Sequence, residues 1–534
     1  MGLWFRPCSL RIALVALTSP MWCGAITASL AGTLSADARA QYGPVDPYDS
    51  ALRALRESIG STNDGEQHAG MVALRELCDP TLKPLFERLL KSDDWTLRVD
   101  SVLGLAELDV SRKIDPALVS ALPGEVDRET AIAAAVSLRM LNVDRVTSML
   151  TWDDLPQPQR LLLACELRKL GGAPDAALLA KLAESRTPEV ATLATAMLLD
   201  LATAGSDAAT AAEAAADRAR KALADLPPKT RSAIVAQTCE ACSVNQLRGA
   251  AAYCASLIVL PDVADDARLR AIGSLLVLAP DSAYPVVAAR VDADRSQTSL
   301  MRHAAVLLAS GARAPKSEWD RLRNGDVLIE GLADAGTLFG EGRDDEAYAK
   351  LLELKHRVAL RAATEGALRV GGSSERALGI ASARYLAKER RAAAPLAESL
   401  TRSIARLAAV APEELAGTLA EIEEERSIQE TVLLALASAG TLEASKTALA
   451  AKGRTSRTGE AMIAVLEARH ANSCDESTLR ELATIAGGGA SVSSVIRTQA
   501  AWLWLRHAGR TADAIEALTA RSATASPAVK ESTP

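Results

Sequence analysis

One stretch, LRVDSVLGLAELD at residues 97–109, is rewritten several times along the chain, and this recurrence limits the fold more than any other feature. Looser copies stand at 269–281 (LRAIGSLLVLAPD), 301–312 (MRHAAVLLASGA) and 360–372 (LRAATEGALRVGG). Each opens on a hydrophobic residue followed by Arg and runs on in small and branched apolar residues. A helix with one buried face needs fewer apolar positions than these copies carry. A helix inside a stack meets neighbours on several sides and does need them.

The series continues through TAIAAAVSLRMLN (130–142), RLLLACELRKLGG (160–172) and VATLATAMLLDLA (190–202). Leu108, Leu141 and Leu170 take equivalent ends, 33 and 29 residues apart. The Arg of the hydrophobic-Arg pair recurs at Arg270, Arg302, Arg361 and Arg497, with gaps of 32, 59 and 136 that read as one, two and four units. Shorter partner helices lie between, such as PALVSALP (116–123) and PDAALLAKLAES (174–185), often entered through Pro, which suits a first helical turn. A period of roughly 30–34 residues with two helices per unit is the signature of an α-solenoid. The expected fold is therefore all-α: stacked antiparallel helical hairpins, with small residues such as Ala133, Ala164, Gly273 and Ala304 letting helices approach closely. Composition agrees, since Ala and Leu favour helix and aromatics make up only 3% of the chain.

The N-terminus is a separate object. Arg6 and Arg11 precede an uncharged stretch at 12–34, and Ala38-Arg39-Ala40 supplies small residues at the −3 and −1 positions before Gln41. That layout is a secretory signal with cleavage after Ala40. The apolar stretch of 23 residues is also long enough to span a bilayer, so an uncleaved signal anchor is the alternative. Trp22 stands where a small residue should precede a lipidated Cys23, which argues against a lipoprotein. The mature chain carries 57 basic and 66 acidic residues, a net charge of −9. Without a basic stripe it lacks the counterion-release drive of nucleic-acid binding. Nucleic acid is not expected as a partner, nor is a membrane unless the N-terminal segment is retained.

DDWTLRVDSVLGLAEL (93–108) resembles the second half of a HEAT repeat of the short type found in phycobilisome-lyase-like proteins, with Asp94, Arg98, Val102 and Leu105 carrying the likeness. LMRHAAVLLA (300–309) and RTQAAWLWL (497–505) match its Arg and Ala pair. The resemblance implies that Asp and Arg bond between adjacent units, so Asp94, Arg98, Arg270, Arg302, Arg361 and Arg497 are expected to be structural ties. It also implies an alternative activity, a lyase or isomerase acting on a bound chromophore. WLWLRHAGRTADAIEALTAR (502–521) and LFGEGRDDEAYAKLLEL (338–354) are similar instead to tetratricopeptide-type helix pairs. The chain then divides into a signal segment at 1–40, a lead-in at 41–50, HEAT-like repeats at 51–202, an Ala-rich helix or linker at 203–228, helical repeats at 229–521, partly TPR-like, and a disordered tail at 522–534.

The sequence carries few signals of an active site. The five histidines (68, 303, 356, 470 and 507) form no helical metal pair, and H-E-x-x-H, G-x-S-x-G and the Walker A loop are absent. No catalytic residue, metal or cofactor is expected. CEAC (239–242) with Cys254 twelve residues on is the sharpest candidate. If 230–243 and 246–259 are antiparallel helices, Cys254 lies near Cys239. The three are then core thiols, or a disulfide joins Cys239 to Cys254 or to Cys242. Trp502 and Trp504, two apart on one helix, cannot share a face; one is expected in the core and the other is a candidate partner contact. The functional expectation is an exported, non-enzymatic helical-repeat scaffold binding a protein or peptide. A membrane-anchored assembly scaffold is the further alternative.

Overall fold

The computed structural model describes residues 46–202, 207–311, 313–370, 457–488 and 492–519. The expected signal segment at 1–40, residues 371–456 and the expected tail at 522–534 lie outside the described residues. Among those described, the regular structure is 24 α-helices and two 3₁₀ turns, with no strand. None of these helices is long and apolar enough to cross a membrane.

The chain opens with α1 (Pro47–Ile59), α2 (Asp64–Glu76), α3 (Lys83–Leu89), α4 (Trp95–Leu108), α5 (Pro116–Ser120) and α6 (Glu125–Ser137). Next come α7 (Val143–Leu150), α8 (Gln157–Lys169), α9 (Ala176–Ala183), α10 (Pro188–Leu201), α11 (Asp207–Ala224), α12 (Pro228–Val244) and α13 (Ala251–Ile258). They are followed by α14 (Asp265–Leu278), α15 (Pro280–Ala293), α16 (Gln297–Ser310), α17 (Lys316–Leu322), α18 (Val327–Gly340), α19 (Asp344–Glu353) and α20 (Arg357–Val370). The last described helices are α21 (Arg457–His470), α22 (Glu476–Gly487), α23 (Ser494–His507) and α24 (Thr511–Thr519).

Local sequence sets these ends. Asn63, Asp94, Asp115, Asp175 and Asp326 cap helix N-termini by accepting a hydrogen bond from the backbone two residues on. Pro47, Pro116, Pro188 and Pro228 occupy first turns, where a missing N–H costs nothing. Several helices close with a left-handed residue and a six-to-one hydrogen bond. Gly171 (φ 83°) precedes the Gly172 N–H bond to the Leu167 carbonyl (2.9 Å), and Arg139 (φ 57°) precedes the Met140 N–H bond to the Ala135 carbonyl (2.8 Å). The equivalent of Leu170 in α6 is thus Leu138, and not the buried Leu141 that sequence spacing singles out.

The described helices form two compact units, those within 46–145 together with 457–519, and those within 146–370. In the second, α8, α10, α12, α14 and α16 lie in a row, each packed on the next, and α16 also meets α18 and α20. α9 packs on α11, and α13, α15 and α17 follow one another in a second layer. Buried Ala164, Met197, Ile234, Val235, Leu275 and Leu307 run through the shared core. The stretch 203–228, expected as an Ala-rich helix or linker, contributes α11, whose Ala216, Ala219 and Leu223 are buried in this core.

The first unit draws on both ends of the chain. α23 packs against α1 and α2, α2 against α4, and α4 against α6. Leu55, Met71, Leu74 and Phe86 share one core with Ala464, Ile496, Trp502 and Leu503. Polar ties cross the same seam. Arg497 pairs with Glu57 at 2.8 Å, Gln499 donates to the Ala73 carbonyl at 3.1 Å, and the Arg510 guanidinium lies 4.4 Å above the Tyr48 ring. Both units are stacked helical hairpins, the all-α solenoid class that the repeats imply.

Candidate functional site

The residues that recur in the repeats hold the stack together. Arg98, in the first turns of α4, donates to the Ser92 carbonyl (2.6 Å) and to Asp127 at the start of α6 (2.7 Å). It ties α4 to α6, and its partner there is Asp127. Asp94 is occupied elsewhere, capping α4 through the Thr96 N–H at 2.8 Å.

Arg98 is the fourth residue of its helix, and that position, more than the hydrophobic-Arg pair, is what recurs. Arg160 is the fourth residue of α8 and donates to the carbonyls of Leu155 (2.8 Å), Trp152 (2.5 Å) and Asp153 (3.0 Å). Arg231 is the fourth of α12 and reaches the carbonyls of Leu223 (2.9 Å), Ala224 (2.5 Å), Leu226 (2.9 Å) and Pro261 (2.6 Å). Arg268 is the fourth of α14 and meets the Leu260 carbonyl at 3.1 Å. A guanidinium there satisfies carbonyls that the incoming turn leaves open. The signal was present in QPQR (157–160) and PPKTR (227–231): an Arg four places after a capped or proline-led start.

The other expected ties divide. Arg270 pairs with Glu240 of α12 at 2.8 Å, and Arg302 with Asp266 of α14 at 3.5 Å, both between successive repeats of the second unit and both well exposed. Arg497 joins α23 to α1 through Glu57. Among the described residues Arg361 pairs with Glu365, one turn along its own helix, at 3.3 Å.

A denser network lies outside the recurring motif. Asp100 of α4 is buried; it accepts from Arg75 of α2 at 2.8 Å and faces His68 Nδ1 at 2.7 Å. Arg75 also forks onto Glu107 at 2.7 and 3.0 Å, and Glu107 with Asp100 raises its pKa despite the opposing cost of burial. His68 to Asp100 and Arg75 to Glu107 are each 32 residues apart, as are Arg168 to Asp200 and Cys165 to Met197. The repeat length is thus written in side-chain contacts.

Cys239, Cys242 and Cys254 come together between α12 and α13 as buried free thiols. Cys239 Sγ lies 3.9 Å from the Cys254 carbonyl oxygen. Hydrogen bonding to the Cys254 sulfur, together with burial, holds Cys239 and Cys242 well above the ordinary thiol range. Burial likewise pushes the Cys165 thiol up to about 12. Cys165, Cys239 and Cys242 are thereby poor nucleophiles, whereas hydrogen bonds from Cys239 and Cys242 hold Cys254 well below the ordinary thiol range. Among the described residues no group of three or more His, Cys, Asp or Glu side chains is placed to hold a metal ion.

Trp502 is fully buried, and its indole N–H donates to Thr81 Oγ1 at 3.2 Å. It cannot meet a partner. Trp504 is half-buried against the same core.

No family model matches the chain, and no curated protein matches it. Among solved structures, the crystal structure of Kap121p is similar at 12% identity and a TM-score of 0.24, over 96% of this chain and 73% of that one. A mutant form of Kap121p is similar at 12% identity and a TM-score of 0.24, over 90% and 69%. By its own packing the chain is a helical-repeat protein of the all-α solenoid class.

Proposed function

We propose that this chain is an exported, non-catalytic scaffold that binds a protein or peptide partner through the loop edges and helix faces of its hairpin stacks. The observation that carries the reading is the regular spacing of inter-repeat ties, 29 residues from Arg98 to Asp127 and 32 from Arg75 to Glu107. Those ties set helices side by side in register, so equivalent loops recur at even intervals along each unit. Repeat arrays of this kind offer extended binding surfaces. The recurring polar residues are spent on the array itself, which suits a scaffold better than an enzyme.

Export rests on the basic, apolar and A-x-A layout of residues 1–40. N-terminal sequencing of the secreted-pathway product tests it: a mature start at Gln41 supports export with cleavage, and retention of residues 1–40 in the membrane fraction supports an anchored scaffold. The binding reading is tested by affinity capture of the mature protein from the exported fraction, followed by mass spectrometry. A stoichiometric protein partner supports it. Recovery of a small-molecule chromophore with no protein partner would replace the scaffold by a lyase-like role.

A further inference from the structure

The loops that follow α4 and α6 lie side by side in the first unit. The Ile114 N–H donates to the Met140 carbonyl at 2.9 Å, Lys113 Nζ to the Arg139 carbonyl at 2.8 Å, and Arg145 to the Ile114 carbonyl. These bonds fuse residues 109–115 and 138–145 into one surface. Three aliphatic side chains stand out from it: Val110 is 103% exposed, Leu138 46% and Val143 39%. Apolar residues this exposed and this close together mark contact surfaces more often than residues exposed singly.

The charge on the same surface is unusual in how it is held. Arg112 (φ 49°) and Arg139 (φ 57°) both adopt the left-handed conformation that glycine enters freely and side-chain-bearing residues resist. In the equivalent turn after α8, that place is taken by Gly171. Left-handed conformations recur at Cys78, Gln246, Asp262 and Lys355, so strain alone distinguishes nothing. What distinguishes the two arginines is that they sit on adjacent fused loops and are exposed, and that among the described residues neither guanidinium has a partner. A cation near a helix C-terminus gains from the dipole. That gain is open to neighbouring positions too, and does not require the left-handed residue to be the one carrying it.

The nearby acids are each stabilised within their own turn. Asp109 accepts from the Ser111 N–H, Asp115 caps α5 through the Ala117 N–H, and Asp144 lies in the first turn of α7, where the dipole favours it. Two free guanidiniums, with Lys113 beside them, therefore flank three exposed aliphatics.

We infer that the fused loops 109–115 and 138–145 are a docking surface for an acidic segment of a partner protein, with carboxylates received by Arg112 and Arg139 and an aliphatic side chain seated on Val110, Leu138 and Val143. Guanidinium forks suit carboxylates, which they bind in pairs of hydrogen bonds. An anionic bilayer fits less well, because Arg112, Arg139 and Lys113 fall short of the clusters of about four to eight Lys or Arg that anionic lipid surfaces attract. The inference rests on the scaffold reading above and gives it a place and a partner chemistry.

The test uses the purified protein and a fluorescein-labelled peptide of four glutamates around two leucines, with binding read by anisotropy at low and at physiological salt. The Arg112→Gly/Arg139→Gly double variant removes both cations and relieves both backbones, so it should melt no lower than the wild type while binding at least tenfold more weakly. Val110→Asp should weaken binding in the same assay, and a control peptide with lysine in place of glutamate should not bind. The inference is overturned if the acidic peptide fails to bind the wild type, or if the double variant binds it within twofold of the wild type. It is also overturned if phosphatidylserine vesicles, and not the peptide, bind the protein in an Arg112- and Arg139-dependent way. A captured partner retained equally by the double variant would sink this surface and leave the scaffold reading standing, whereas capture of no partner at all would sink the scaffold reading.

Discussion

Arg75 and Asp100 face each other at 2.8 Å in the seam between α2 and α4, with side chains only 6% and 1% exposed. A charge removed from such a pair leaves its partner buried and under-compensated. Asp100→Ala should therefore lower stability by about 3 kcal/mol in urea unfolding. Replacing Arg75 by Met together with Asp100 by Leu should cost less than the single change, because no charge is stranded. Equal losses in the two variants would mean that packing, and not charge, dominates the seam.

Trp502 joins the two ends of the chain within one core, so its loss should be felt far away in sequence. Trp502→Ala should cost about 3–5 kcal/mol, the usual range for a buried aromatic. Trp502→Phe should cost about 1 kcal/mol for the lost bond to Thr81. Hydrogen exchange should quicken in α1 and α2 as well as in α23, with α12 to α16 unchanged.

The helix ends at Gly171 and Arg139 make a matched pair. A Cβ at Gly171 meets no atom within 4 Å, so Gly171→Ala isolates the cost of φ 83°. It should destabilise by about 1 kcal/mol, while Arg139→Gly should be neutral or stabilise by up to about 1 kcal/mol. Melting temperatures should move in opposite directions. A fall in both would show that the Arg139 side chain contributes to the fold.

His303 of α16 is buried, and burial holds its imidazole below the ordinary 6.5. Its Nδ1 faces the Ser299 carbonyl at 2.8 Å, and its Nε2 is buried without a hydrogen-bond partner. The unfolded ring takes up a proton that the folded ring resists. This contribution to stability is therefore full above the unfolded value, about 6.5, and is lost as the pH falls below it. The stability difference between wild type and His303→Leu should shift against the wild type between pH 7.5 and 5. A difference constant across that interval would contradict the assignment.

Cysteine chemistry should divide by burial. Cys78 and Cys474 are half-buried, while Cys165, Cys239, Cys242 and Cys254 are buried. In the native mature protein two thiols should react with an aromatic disulfide reagent in the fast phase, and six after denaturation. A total of four would mean that one disulfide has formed.

Local physics was legible in the sequence, and long-range partnership was not. Arg98 could be read as an inter-repeat tie because its helix copies others. Its partner Asp127 was missed because Asp94, nearer in sequence, carries the same charge and is used as a cap. Arg160 and Arg231 were overlooked because the residues before them, Gln159 and Thr230, are not hydrophobic. What recurs in space is the helix position, and the hydrophobic neighbour is incidental. Trp502 could be placed on a helix, but Thr81, its hydrogen-bond partner 421 residues away, has no local mark. The tie between Arg75 and Glu107 follows the repeat length and was open to a search at a spacing of 32. The pairing of α23 with α1 depends on which ends of an array meet, and periodicity carries nothing about that.

The closing of the first unit by α22 to α24 has a consequence in time. Glu57 waits for Arg497 across 440 residues. At a synthesis rate of about 10 residues per second, roughly 40 seconds separate their emergence. Throughout that interval α1 and α2 carry an apolar face whose native cover has not been made. The second unit, drawn from one continuous stretch, has no such wait and is free to consolidate first. Birth order and folding order are therefore reversed at the N-terminus: the helices made earliest are among the last to be sheltered, and any factor that attends the nascent chain has them to hold.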